Sequence, residues 1–218
     1  MHYLFQPYNY DLSDPGSIPN LFLQHLSLVS ITMFLSLFIA LPLGLLVARH
    51  RRLYLPIITI SGLLYTVPSI AAFMLLLPIT KLSSATAIIP MVLYNQLVLI
   101  RNTVAAVNSI DPLLIEVGRA VGMNPLQILW RVRLPLALPV IIAGVRVATV
   151  TTIGIAGLAA LVGQGGLGTL IFQNIATFDL DAILAGAILI ALFALFADAL
   201  LLGLQTLLSR GRSAVMAA

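Results

Sequence analysis

Residues 21–48 read LFLQHLSLVSITMFLSLFIALPLGLLVA, an apolar run without a single aspartate, glutamate, lysine or arginine. A helix needs about 20 such residues to cross the hydrocarbon core of a bilayer, so this one stretch suffices for a transmembrane span. Its flanks support that reading: Asp11 and Asp14 precede it, and Arg49-His50-Arg51-Arg52 closes it. Moving outward, residues 53–80 and 82–100 are also free of charge, each long enough to span. The whole chain of 218 residues is 61% hydrophobic and 8% charged, with a mean hydropathy of +1.11. A soluble domain carries about 25% charged residues, so the polar material here cannot cover a water-facing surface. The sequence therefore describes an all-α, multi-spanning membrane protein.

The spans fall at about residues 21–48, 55–79, 85–100, 138–162 and 183–208, within one transmembrane domain over 1–218. The second contains Pro56, Pro68 and Pro78, which only neighbouring helices can accommodate in a membrane. A sixth crossing arises only if residues 169–176 dip into the bilayer. Residues 1–19 lack a basic leader, and the apolar stretch after them exceeds the roughly 7 to 15 residues of a signal core, which reads as a retained first span. Nine arginines (49, 51, 52, 101, 119, 131, 133, 210 and 212) fall on the face reached after spans one, three and five, and only Lys81 on the other. Basic residues favour the cytoplasmic side, which predicts an outside N-terminus and a cytoplasmic C-terminus.

The net charge of +4 comes from residues bracketing hydrophobic segments and points to membrane lipid, not nucleic acid. Without cysteine there is no disulfide or thiolate chemistry. His2, His25 and His50 are too scattered to form a metal site. Gly163-Gln164-Gly165-Gly166-Leu167-Gly168 satisfies the dinucleotide pattern G-x-G-x-x-G, but a membrane span precedes it in place of a strand, so it reads as a tight loop between packed helix ends. No phosphate-binding G-x-x-x-x-G-K-[ST] and no catalytic constellation is present, so the chain is not expected to be an enzyme.

The longest segment without membrane character, residues 111–135, holds two short amphipathic helical stretches around Gly122-Met123-Asn124-Pro125. It reads Glu116-Val117-Gly118-Arg119-Ala120-Val121-Gly122, then nine residues, then Val132-Arg133-Leu134-Pro135. This resembles the EAA loop of the membrane subunits of binding-protein-dependent ABC importers, Glu-Ala-Ala, three residues, Gly, nine residues, Ile-x-Leu-Pro. The resemblance implies the type I importer permease fold (MetI-like) with coupling helices, in the bacterial cytoplasmic membrane. It further implies that Glu116, Gly118, Arg119, Ala120, Gly122, Pro125, Arg131, Leu134 and Pro135 form the knob that docks into a cytoplasmic ATPase dimer. The implied partners are that ATPase, which holds ATP and Mg, a second permease copy or sister permease, and an extracytoplasmic solute-binding protein. Residues 134–146 and 163–173 look most like permeases of the osmoprotectant branch, which import glycine betaine, choline and carnitine. Methionine and phosphonate importers share much of the same pattern.

Depth singles out two more residues. Arg146 lies 11 residues past Pro135 and Asp198 lies 12 before Arg210, so both sit about 16 to 18 Å along their helices and are expected to pair. Tyr65, Ser69, Tyr94, Asn95, Gln96 and Thr151 are polar or aromatic residues within spans and are candidates for the translocation path. An ion-coupled carrier, the reading from a different class, calls for several intramembrane charges and related halves; here only Arg146 and Asp198 qualify, and no internal repeat is evident.

Overall fold

The computed structural model describes residues 2–216, with side chains over 3–209, so the side chains of His2, Arg210 and Arg212 lie outside the described residues. The first apolar run forms α1 (Ile18–Arg49), started by Ser17 and Pro19 and closed at His50. At 32 residues it is about 48 Å long, more than the roughly 30 Å of hydrocarbon.

The second run does not form one helix. It divides into α2 (Tyr54–Thr66) and α3 (Ser69–Thr80), bent by 91° at the break. Pro68 lacks the N–H that would continue α2, and it forces Val67 out of the helical region to φ −68°, ψ 126°. Pro56 lies in the first turn of α2, where a missing N–H costs nothing, and Pro78 lies close to the end of α3.

The third span also differs from its sequence boundary. α4 (Ala85–Asn108) continues for two turns past Ile100, because Arg101 is exposed and does not stop the helix. α4 is the centre of the bundle and touches α1, α2, α3 and α7. Two adjacent side chains at its far end fit glycine notches on two neighbouring helices. A Cβ on Gly44 of α1 would sit 2.6 Å from the Cβ of Thr103, and one on Gly144 would overlap Asn102. Small residues let helices in lipid approach closely enough for van der Waals packing to hold them.

The segment 111–135 forms α5 (Pro112–Ala120) and α6 (Pro125–Ile128), and α6 runs without a break through a π turn at Leu129–Arg133 into α7 (Leu134–Gly157). The fourth span is thus not a helix starting afresh near residue 138. It is the end of a continuous helical stretch, Pro125–Val162. The wider turn relieves the clash that the Pro135 ring would make with the Arg131 carbonyl in a regular helix.

After α7, a tight 3₁₀ turn (Leu158–Val162) leads to Gly163, Gly165 and Gly166, all at positive φ. α8 (Gly168–Phe172) is only five residues long, so residues 169–176 do not cross the membrane. α9 (Leu180–Met216) packs on α7 and α8 at the edge of the bundle. Among the described residues, four helices are long and apolar enough to cross a membrane, and the number is five where the bent pair α2–α3 counts as one span.

The end of the bundle opposite the α5–α6 segment is clamped by the glycine loop. The Gly166 N–H donates to Gln24 Oε1 at 3.0 Å, and His25, fully buried, donates from Nε2 to the Ile153 carbonyl at 3.0 Å. Behind them the backbone at Gly168 lies directly on the Gly157 carbonyl, leaving no room for a Cβ. The dinucleotide-like pattern is a packing device that joins α1, α7 and α8.

Candidate coupling knob and intramembrane polar groups

The α5–α6 knob is held at each of its ends by hydrogen bonds that its sequence specifies. Asp111 caps α5, its Oδ1 accepting from the Leu113 N–H at 2.9 Å. At the other end Met123 N–H donates to the Gly118 carbonyl at 3.0 Å and Gly122 N–H to Arg119 at 2.9 Å. This pair of bonds needs a left-handed residue, and Gly122 supplies φ +83°. Asn124 and Gln127 then exchange side-chain and backbone bonds, both at 2.9 Å, to start α6 with Pro125 in its first turn. The turn between the helices is therefore rigid.

Ile115, Gly118 and Ile128 face inward. The space at Gly118 is bounded by Met123 and Ile128 at ordinary contact distance, so the small residue lets α5 lie on α6. Glu116, Arg119, Ala120, Arg131 and Pro135 are exposed, and Leu134 is half-buried. Arg119 and Arg133 line two clefts between knob and bundle, about 770 and 310 Å³, with Arg49 on the wall of the larger and Glu116 on the smaller.

The knob also presents apolar residues to solvent: Val121 and Leu126 belong to the amphipathic stretches legible in sequence, and Leu113, Val117 and Trp130 extend them. Leu113, Val117 and Val121 recur at helical spacing along α5, and Leu126 and Trp130 follow on the next helix. All five are exposed, Trp130 to 64%. Trp130 is the only tryptophan in the chain. Charge and the spacing of Glu116, Gly122 and Pro135 drew attention away from it; the signal available in sequence was a lone tryptophan in a polar segment.

Within the spans, Arg146 and Asp198 join α7 to α9. Nε donates to Oδ1 at 2.9 Å and NH2 to Oδ2 at 2.8 Å, while NH1 donates to Gln205 Oε1 at 3.0 Å. The two-pronged geometry suits guanidinium and carboxylate, and Gln205 takes the remaining face of the arginine.

The six polar residues noted within spans separate into three environments. Asn95 is buried at the junction of α1, α4 and α7, donating to Ser36 Oγ at 3.1 Å and Thr152 Oγ1 at 2.9 Å. Gln96 is buried beside it and donates to the Val92 carbonyl at 2.9 Å. Asn95 ties α4 to α1 and α7, whereas this Gln96 bond stays within α4. Thr151 is half-buried and donates to its own helix, at the Val147 carbonyl. Tyr65, Ser69 and Tyr94 cluster at the α2–α3 break. The two rings stand edge to face, centroids 5.9 Å apart, and Tyr94 Oη donates to the Val67 carbonyl at 2.9 Å.

Comparison with known proteins fits this geometry. Residues 40–213 match the family described as binding-protein-dependent transport system inner membrane component. The chain is 41% identical over 206 residues to the osmoprotectant import permease protein OsmW of Salmonella typhimurium, covering 92% of this chain and 96% of that one. It is 37% identical over 210 residues to the glycine betaine/carnitine/choline transport system permease protein OpuCD of Bacillus subtilis, covering 96% and 92%. Among solved structures it is similar to the MetNI methionine ABC transporter in an inward-facing conformation. The TM-score is 0.75 at 24% identity over 85% of this chain and 93% of that one, a likeness of fold.

Proposed function

Because the chain belongs to the binding-protein-dependent transport system inner membrane components, and so is the permease subunit of an ABC importer, we propose that its solute is a quaternary ammonium osmoprotectant such as glycine betaine, choline or carnitine. The observation behind this reading is near full-length similarity, at 36% to 41% identity, to permeases named for those solutes. The chain is a transport component of the inner membrane, and its family works with an ATPase and a solute-binding protein. ATP and Mg stay on the ATPase. Two permease halves, this chain twice or with a sister chain, enclose the path, with the N-terminus outside and the knob in the cytoplasm.

The knob docks in the ATPase through the stripe Leu113, Val117, Val121, Leu126 and Trp130, with Glu116, Arg119 and Arg131 placing polar contacts around it. An exposed apolar patch with a polar rim is the usual anatomy of such an interface. Closure of the ATPase dimer pushes on a rigid knob fused to α7 and so reaches the membrane interior. The α2–α3 break lies along the path that this movement opens and closes, and the Arg146–Asp198 pair locks α7 to α9.

The test is uptake into proteoliposomes holding the permease, its ATPase and luminal ATP, with the loaded binding protein outside. Choline or glycine betaine is expected to accumulate and methionine is not; accumulation of methionine alone, or uptake driven by an ion gradient without ATP, overturns the reading. In the same assembly Trp130→Ala should weaken retention of the ATPase by roughly 30-fold or more, since a central tryptophan at an interface is worth about 2 kcal/mol or more. Pull-down of the ATPase by purified permease measures it, with folding followed by gel filtration.

A further inference from the structure

We propose that Tyr65, presented at the α2–α3 break and braced by Tyr94, is a transient platform for the ammonium head of the solute on its way through the permease. The proposal rests on the quaternary ammonium reading above and names the side chain that would meet that head inside the membrane.

Depth is the first reason. Tyr65 lies 11 residues after the start of α2, about 16 Å along it, and Tyr94 lies nine residues into α4 from the opposite side, about 14 Å. Both therefore sit near the middle of a roughly 30 Å core. Interrupted backbone at that depth survives only where protein or water covers it. Yet on this chain Tyr65 is 43% exposed and Thr66 beside it is exposed as well. Such a face calls for protein or water beside it, which the pore between two permease halves supplies.

The chemistry of the face is the second reason. Tyr94, only 5% exposed, ties the Val67 carbonyl with its hydroxyl, which fixes the break, and its ring meets Tyr65 at 76°. In either sense of an edge-to-face pair, at least one face of the Tyr65 ring stays open. Thr66 Oγ1 donates to the Leu63 carbonyl and Val67 N–H to the Leu64 carbonyl, and the carbonyl end of α2 meets the N–H end of α3 at the break, so the ring face carries the attraction for a cation. α2, α3 and α4 contain no aspartate or glutamate. A primary ammonium group brings N–H donors that want strong acceptors. A quaternary one has no donor, and a π face suits it. Such a platform holds the solute weakly, as a path must if the solute is to leave.

The test keeps the shape of the ring and removes its charge distribution. Position 65 is replaced with phenylalanine and then with mono-, di- and trifluorinated phenylalanine, in the full importer in proteoliposomes with choline-loaded binding protein. The readout is choline moved per ATP hydrolysed. Tyr65→Phe, which keeps the ring face, is the reference for the series. The fluorinated series should fall stepwise, to roughly 5- to 30-fold below it, while ATP hydrolysis stimulated by the binding protein is retained. A flat series in a protein that carries choline overturns the platform and leaves the solute reading intact. A wild-type importer that carries methionine and not choline overturns the solute reading, and the platform with it.

Discussion

Gly168→Ala is expected to prevent the glycine-loop end of the bundle from closing, and with it the recovery of folded protein. A Cβ at this position would overlap the Gly157 carbonyl, and both partners in that clash are backbone, fixed by the start of α8 and the end of α7. A flexible side chain could rotate away; two helix ends cannot. Overpacking a core costs about 1 to 3 kcal/mol when side chains absorb it, so a backbone clash should cost about 3 kcal/mol or more. Separating α7 from α8 would also strain the Gly166–Gln24 bond and the His25–Ile153 bond, which draw on the same loop. Thermal unfolding and the monodisperse fraction in detergent measure the effect. Gly154→Ala is the control: it lies in α7 with nothing within 4 Å of an added Cβ, and its stability should stay close to wild type.

Asp198→Ala is expected to be nearly as damaging, for a different reason. It would leave the Arg146 guanidinium in a span with only Gln205 as a partner, and an uncompensated charge at that depth opposes insertion. Arg146→Ala strands the carboxylate in the same way. Removing both, as in Arg146→Met with Asp198→Leu, should restore much of the folded yield that either single change loses, because a paired charge and an apolar pair of similar volume are close in energy. If the double variant folds but carries no solute, the pair serves the path as well as the fold. Should Asp198→Asn leave yield and uptake unchanged while Arg146→Ala abolishes both, the two residues do not act as a unit.

What could be read from the sequence followed from chemistry that is local or periodic. Uncharged runs located the spans because charge is expelled from hydrocarbon everywhere along the chain. The knob was legible because Asp111, Gly122, Asn124 and Pro125 each have a stereochemical preference that acts within a few residues. Arg146 and Asp198 could be matched because helix rise converts sequence offset into depth.

The rest depended on partners far away in the chain. Pro42, Pro90, Pro139 and Pro68 look alike in sequence, but the first three lie inside continuous helices and only Pro68 breaks one. At Pro68 the freed Val67 carbonyl accepts from Tyr94 Oη, 27 residues on. Asn95 and Gln96 suggested a polar lining because adjacent amides cannot both face lipid. Their partners on other helices, Ser36 and Thr152, lie more than 50 residues away in either direction, and no periodicity announces them. Trp130 was overlooked because its meaning lies in exposure, which sequence alone does not give.

The π turn at Leu129–Arg133 bears on how this chain can vary in length. Such a turn holds one more residue than a regular helix would in the same space, and each residue of an α-helix turns the next by about 100°. The flanking helix on either side thus keeps the phase that a regular helix one residue shorter would give it. Deleting a residue among 129–133 would remove the surplus and leave α5 in nearly the same orientation around the α7 axis, whereas losing a residue with no surplus to draw on turns everything beyond it by about 100°. The knob would keep both its shape and its bearing toward its socket. A one-residue deletion in this turn can therefore be absorbed where one in a regular span cannot, and the turn works as slack between the two halves of the molecule.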